Sequence, residues 1–148
     1  MQRWLLALAL AFGGTLAGCA TTITTTTQVF QDPPPEIIVC YSYMIFFDWN
    51  SAALSDEARA IVGDFAQFIK ANDITEIELV GHTDASGPRG YNLRLSLRRV
   101  EAVKAALVAL GIPQAMIKTA AKGESALLVP TPDGIREPQN RRAELVAP

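Results

Sequence analysis

The apolar positions of the chain change their period near residue 40. Before that point, Met1 to Gly18 carries one charge, Arg3, ahead of an unbroken apolar run from Trp4 to Phe12. After it, short periodic segments alternate with polar turns. Tyr41 to Phe47 is aromatic and apolar, and predicts a strand. Ser55 is placed to cap a helix, with Asp56 and Glu57 in its first turn. Ala58, Ile61, Val62, Phe65, Phe68 and Ile69 then recur on one helical face. Ile74 to Val80 alternates and predicts a second strand, and Gly81 to Gly90, with Pro88 inside it, predicts a loop. A longer helix over about Asn92 to Leu110 follows from Leu93, Leu97, Val100, Val103, Leu107 and Leu110, with Gly111 and Pro113 as its stop. Met116 to Lys122 predicts a third strand, the proline-bearing stretch Glu124 to Gln139 a loop, and Arg142 to Val146 a last strand. This order predicts an α+β sandwich with the helices packed on one face of a mixed sheet.

The N-terminal segment has a basic start, an apolar run and then small residues, the layout of a secretory signal. Gly13, Gly14 and Thr15 break the run well short of the ~20 apolar residues of a membrane span. Leu16-Ala17-Gly18-Cys19 is similar to the bacterial lipobox, in which the cysteine is acylated and becomes the new N-terminus; ordinary cleavage near Ala17 or Ala20 is the alternative. Residues 1–18 are thus read as a lipoprotein signal peptide, and Cys19 as the lipidation site. Acyl chains contribute roughly 0.8 kcal/mol per buried methylene, which makes the domain anchored rather than spanning. Ala20, where an aspartate signals inner-membrane retention, favours the outer membrane. Residues 19–40 form the lipidated cysteine and a tether rich in threonine (Thr21 to Thr27) and proline (Pro33 to Pro35), leaving 41–148 as the domain. At ~3.3 Å per residue, the stretch 20–36 reaches about 55 Å when extended. Cys40 is left over, either buried as a small apolar side chain or paired between molecules.

Thirteen basic and fifteen acidic side chains give a net charge of −2, which speaks against a general nucleic-acid binder. Two cysteines and one histidine are too few for a multi-cysteine zinc site, and no cofactor is implied. The polar chemistry gathers in one section. Gly81-His82-Thr83-Asp84-Ala85-Ser86-Gly87 leaves the second strand, and Asn92, Ser96 and Arg99 make one stripe on the following helix. Residues 89–104 hold Arg89, Arg94, Arg98, Arg99 and Lys104 against Glu101, a basic helix that suits an anionic partner or simply a solvated face. Asp84 and Arg99 either bridge each other or line one pocket with opposite charges. In the second case they fit a zwitterion, the carboxylate taking an ammonium and the guanidinium a carboxylate. A hydrolase built on His82, Asp84 and Ser86 or Ser96 lacks the nucleophile elbow and the relay geometry, so no enzymatic activity is expected.

Five motifs then stand in order: Phe46-Phe47-Asp48, Gly81-His82-Thr83-Asp84-x-x-Gly87, Tyr91-Asn92-x-x-Leu95-Ser96-x-x-Arg99-x-x-x-Val103, Gly123-Glu124 and Asn140-Arg141-Arg142-x-Glu144. Together they resemble the OmpA-like peptidoglycan-binding domain, and with the lipobox and the Arg98-Arg99 doublet they resemble its peptidoglycan-associated lipoprotein branch. The resemblance implies a βαβαββ-type fold and a noncovalent hold on the diaminopimelate of the peptidoglycan stem peptide. It also implies an outer-membrane location with the domain facing the periplasm, and docking to a periplasmic Tol-system protein as a further or alternative role. By motif position, Asp84 matches the ammonium-binding aspartate, Arg99 the carboxylate-binding arginine and Asn92 the helix-start asparagine beside the ligand. Thr83 and Asp48 match loop positions lining the same pocket, and Arg142 matches an arginine near the site whose role is either structural or in ligand contact. The sequence departs from the family pattern at Val100, where a small alanine is usual, and in the apolar stretch Ala126 to Pro130.

Overall fold

The computed structural model describes residues 41–147. The expectations for the signal peptide, Cys19, the tether and Cys40 lie outside these residues. The chain runs β1 (Tyr41–Phe46), α1 (Asp56–Ala71), β2 (Ile77–His82), α2 (Arg89–Ala109), β3 (Ile117–Gly123) and β4 (Arg142–Ala147), with 3-10 turns at Gln114–Met116 and Pro138–Asn140. The four strands form one sheet in the order β1-β4-β2-β3. β4 is antiparallel to both β1 and β2, while β2 and β3 are parallel. The fold is therefore the α+β arrangement that the periodicity predicts.

Alternation decides the faces. Ile45 of β1, Ile77 and Leu79 of β2, and Ala143, Leu145 and Ala147 of β4 point to one side. There they join Val62, Phe65 and Ile69 of α1 and Val100, Val103 and Leu107 of α2 in a single core. Each of the larger side chains contributes roughly 1.5–3 kcal/mol by leaving water. α1 starts where the sequence places it, because the Ser55 side chain accepts from the Ala58 N–H at 3.1 Å.

Two boundaries differ from the sequence reading. Ile74 is not in β2: Asp73 takes a positive φ of 51° and the Ile74 N–H turns back to the carbonyl of Ile69, so α1 closes on this residue. β2 begins at Ile77 and continues through Gly81 and His82, which the glycine content had assigned to the loop. Gly81 is in the strand because α2 crosses it closely. A Cβ there would lie 2.4 Å from the Ser96 carbonyl oxygen and 2.6 Å from Val100 Cγ2.

α2 also turns a different face inward. Leu93, Leu97 and Leu110, read as part of the apolar face, are exposed. The buried stripe instead runs Asn92, Leu95, Ser96, Arg99, Val100, Val103, Leu107. The polar half of this stripe lies at the start of the helix, against the ends of the strands.

Candidate ligand-binding site

Since β4 runs against β1 and β2, the C-terminal ends of β1, β2 and β3 meet the N-terminal end of β4 at one edge of the sheet. The loops at this edge and the start of α2 enclose a cleft of about 270 Å3 lined by Asp84, Arg99, Arg141, Asn92, Trp49 and Tyr91, among others. Asp84, Asn92 and Arg99, three of the residues singled out in the sequence, thus stand together.

Arg99 is fully buried. Its Nε donates to the Ser51 carbonyl at 2.9 Å, Nη1 to the His82 carbonyl at 2.7 Å and Nη2 to the Asp48 carbonyl at 3.2 Å. The guanidinium also lies 5.0 Å from the centre of the Phe47 ring. Burial lowers its pKa from 12.5 to about 10, with Asp84 pulling the other way, so it is charged at neutral pH. The three carbonyls come from the β1–α1 loop and the end of β2, and a single side chain therefore fixes both walls of the cleft. Three of its five N–H groups are committed to them.

Asp84 does not pair with Arg99. Its Oδ1 accepts from the Ser86 hydroxyl at 2.6 Å and the Ser86 N–H at 3.3 Å, and its Oδ2 faces Arg141 Nη1 at 3.4 Å. Arg141 itself is held by a bond from its Nε to the Phe47 carbonyl at 3.1 Å. The arginine that the motif matches near the site, with a structural role left open for it, is Arg142, one residue further on. Arg142 instead points to the other face of the sheet, where its Nε and Nη2 reach Glu144 Oε1 at 2.7 and 2.6 Å. Strand alternation separates the two neighbours.

Asn92 is buried, and its amide N–H groups face the carbonyls of Asp84 at 3.1 Å and Gly87 at 3.0 Å and the carboxylate of Glu124. It clasps the Asp84 loop to the helix. Thr83 is buried with its N–H on the Gly123 carbonyl, and its side chain is not part of the cleft wall. Asp48 gives Arg99 its carbonyl, while its exposed side chain belongs to an adjoining cleft of about 410 Å3. Arg98 is exposed and lies over the Tyr91 ring.

The His82 ring makes no hydrogen bond to Asp84, Ser86 or Ser96 among the described residues. Its Nδ1 bonds the Ala126 carbonyl at 3.0 Å, and Nε2 stands 3.7 Å from Glu144 Oε1. Ser86 is engaged with Asp84, and Ser96 bridges the Leu93 carbonyl and the Gly123 N–H. Among the described residues, no group of three His, Cys, Asp or Glu side chains is placed to hold a metal ion, and no helix is long and apolar enough to cross a membrane.

The domain has counterparts among known proteins. The OmpA family model matches residues 46–141, which include every wall of the cleft. The chain belongs to the OmpA family. This OmpA domain is 45% identical over 111 residues to an outer membrane protein of Gluconacetobacter diazotrophicus, covering 71% of the chain and 29% of that protein. It is 35% identical over 100 residues to the peptidoglycan-associated lipoprotein of Pseudomonas putida, covering 68% of the chain and 60% of the relative. The chain thus spans less than two thirds of the length of these relatives. The crystal structure of the peptidoglycan-associated lipoprotein from Burkholderia pseudomallei superposes with a TM-score of 0.65 at 33% identity, over 71% of this chain and 89% of that one.

Proposed function

We propose that the chain is an outer-membrane lipoprotein whose OmpA domain binds peptidoglycan noncovalently through the diaminopimelate of the stem peptide. The observation that carries this reading is the cleft in which Asp84 and Arg99 stand on one wall system without consuming each other's charge. A diaminopimelate residue has a free end bearing an ammonium and a carboxylate. Asp84 takes the ammonium, and the N–H groups of Arg99 not committed to carbonyls take the carboxylate. Asn92 holds the Asp84 loop in place. Thr83 and Asp48 act through their main chains, the first fastening β2 to β3 and the second orienting Arg99.

In this account lipid on Cys19 holds the outer membrane, residues 19–40 cross the gap, and the domain faces the periplasm without catalysing a reaction. Relatives named as peptidoglycan-associated lipoproteins support it. Co-sedimentation with purified peptidoglycan sacculi tests it: wild-type protein pellets with them, and Asp84→Ala leaves most of the protein in solution. Equal pelleting of the two would refute the site.

A second role has one specific support. Leu93 and Leu97, one turn apart on α2, are each about half exposed (50% and 45%) beside Arg94 and Arg98. An apolar pair within a basic surface suits docking of a periplasmic partner such as a Tol-system protein. A Leu93→Asp variant that pellets with sacculi yet no longer retains that partner would support it.

A further inference from the structure

α2 divides the charge of the domain. Outside it, residues 41–147 hold twelve acidic and seven basic side chains, whereas α2 holds one acid, Glu101, and five bases. Arg99 is buried at the cleft. That leaves Arg89, Arg94 and Arg98 exposed and Lys104 half-buried along the helix. None of these four forms an ion pair among the described residues. From Arg89 to Lys104 they span ~22 Å at a rise of 1.5 Å per residue.

Apolar side chains run between these cations. Leu93 and Leu97, one turn apart, and Val108, three turns further on, are exposed along one line of the helix, and Lys104 falls on the same line. Arg94 and Arg98 stand along one flank of it. Exposed leucines within a basic rim are the composition of a helix that lies in the plane of an anionic bilayer, its apolar side chains at the acyl boundary and its cations at the phosphates. Four unpaired cations spread over this length meet a continuous layer of phosphates without any register, whereas a folded protein has to supply an acid opposite each. The acidic remainder of the domain is repelled by the same phosphates, which turns the domain α2-first toward them. None of Leu93, Leu97, Lys104 and Val108 lines the Asp84 cleft, so such a contact leaves the cleft open.

Resting on the lipid-anchored reading above, we propose that the outer face of α2 is a membrane-contact surface for anionic phospholipid. Residues 19–40 keep a bilayer within reach of this face. Leu93, Leu97 and Val108 enter its boundary, and Arg94, Arg98 and Lys104 take phosphates. The domain then lies against the membrane that holds it, while the Asp84 cleft stays free for the wall. A protein that docks on Leu93 and Leu97 has to displace the bilayer.

Hydroxyl-radical footprinting tests this on the full chain, purified from membranes and inserted into phosphatidylcholine vesicles with or without phosphatidylglycerol. In the anionic vesicles, oxidation of Leu93 and Leu97 is expected to fall roughly five-fold, as a change from half-exposed to nine-tenths buried implies. Leu128 and Ile135, exposed on the 124–139 loop, are expected to keep theirs. Protection is expected to vanish in about 1 M salt, where the Debye length is ~3 Å, and in Arg94→Glu/Lys104→Glu, which still pellets with sacculi. Equal oxidation in the two kinds of vesicle overturns the proposal, and this comparison needs no variant to fold. Protection that appears in neutral vesicles only after a periplasmic extract is added assigns the face to a protein and overturns it too. The mass of the N-terminal peptide reports the anchor separately: lipid on Cys19 with unprotected leucines refutes the proposal alone. A chain without lipid refutes the anchor, and its flotation then decides the proposal. Flotation with the anionic vesicles only is expected, and flotation with both kinds or with neither overturns it.

Discussion

Asp84 faces Arg141 rather than Arg99, with Oδ2 3.4 Å from Nη1, although Arg99 lines the same cleft. The reason is that Arg99 spends its fork on the carbonyls of Ser51, His82 and Asp48. Under the proposed function the residue that meets the ligand is thus also the one that shapes the cleft, and its substitutions act on both. Arg99→Ala strips three buried or half-buried carbonyls of their donor and is expected to destabilise the fold by about 3 kcal/mol. Arg99→Lys keeps the charge without the fork, and is expected to restore part of the stability but little of the binding. Urea unfolding of both variants, beside their sedimentation with sacculi, separates the two effects.

Gly81 carries a steric prediction. Its absent Cβ would stand 2.4 Å from the Ser96 carbonyl oxygen, a main-chain atom inside a helix that cannot move aside alone. Gly81→Ala therefore pushes α2 off β2 and disturbs Ser96, Arg99 and the cleft together. A loss of about 2–3 kcal/mol is expected, in the range of overpacked cores, and a chemical denaturation curve with a lowered midpoint is the check.

His82 sets a pH dependence. Burial first, and the nearby Arg142 second, push its pKa below 6.5, with Glu144 and the Ala126 carbonyl opposing. Below 6.5 the unfolded chain takes up a proton that the folded chain resists, so stability falls as pH drops from 6.5 toward the folded-state value. Stability is at its full value above that window. His82→Gln is expected to flatten the slope of unfolding free energy against pH below about 6.5. A slope unchanged from wild type would show that other groups set it.

Asn140 pins the long 124–139 loop. Its side chain makes two 2.8 Å bonds with Val129 while fully buried. Asn140→Ala removes both, and a loss of about 2 kcal/mol is expected, together with faster amide exchange at Val129. Since Arg141 follows directly, weaker ligand binding should accompany the change.

Most of the framework was legible in the sequence because local signals agreed there. Ser55, Asp56 and Glu57 announce α1, and its inward residues recur at helical spacing. α2 was harder. Leu93 and Leu97 look like its core face, yet the inward stripe at that end is Asn92, Ser96 and Arg99, since a buried cleft needs polar groups where periodicity expects leucine. Apolarity marks a core face reliably only where no ligand site interrupts it. The Arg141-Arg142 pair shows the other limit. A motif names both residues, but only the phase of β4, set by its pairing with β1 and β2, decides which one enters the cleft.

The central claim is that Asp84 holds the ammonium of a stem-peptide zwitterion, and one titration addresses it most directly. Wild type and Asp84→Asn are titrated calorimetrically with the unamidated diaminopimelate tetrapeptide, with thermal unfolding measured alongside. The account predicts saturable binding by wild type and at least a ten-fold loss for Asp84→Asn at similar stability, as for a lost charge-assisted contact. Equal affinities in two folded proteins would contradict it.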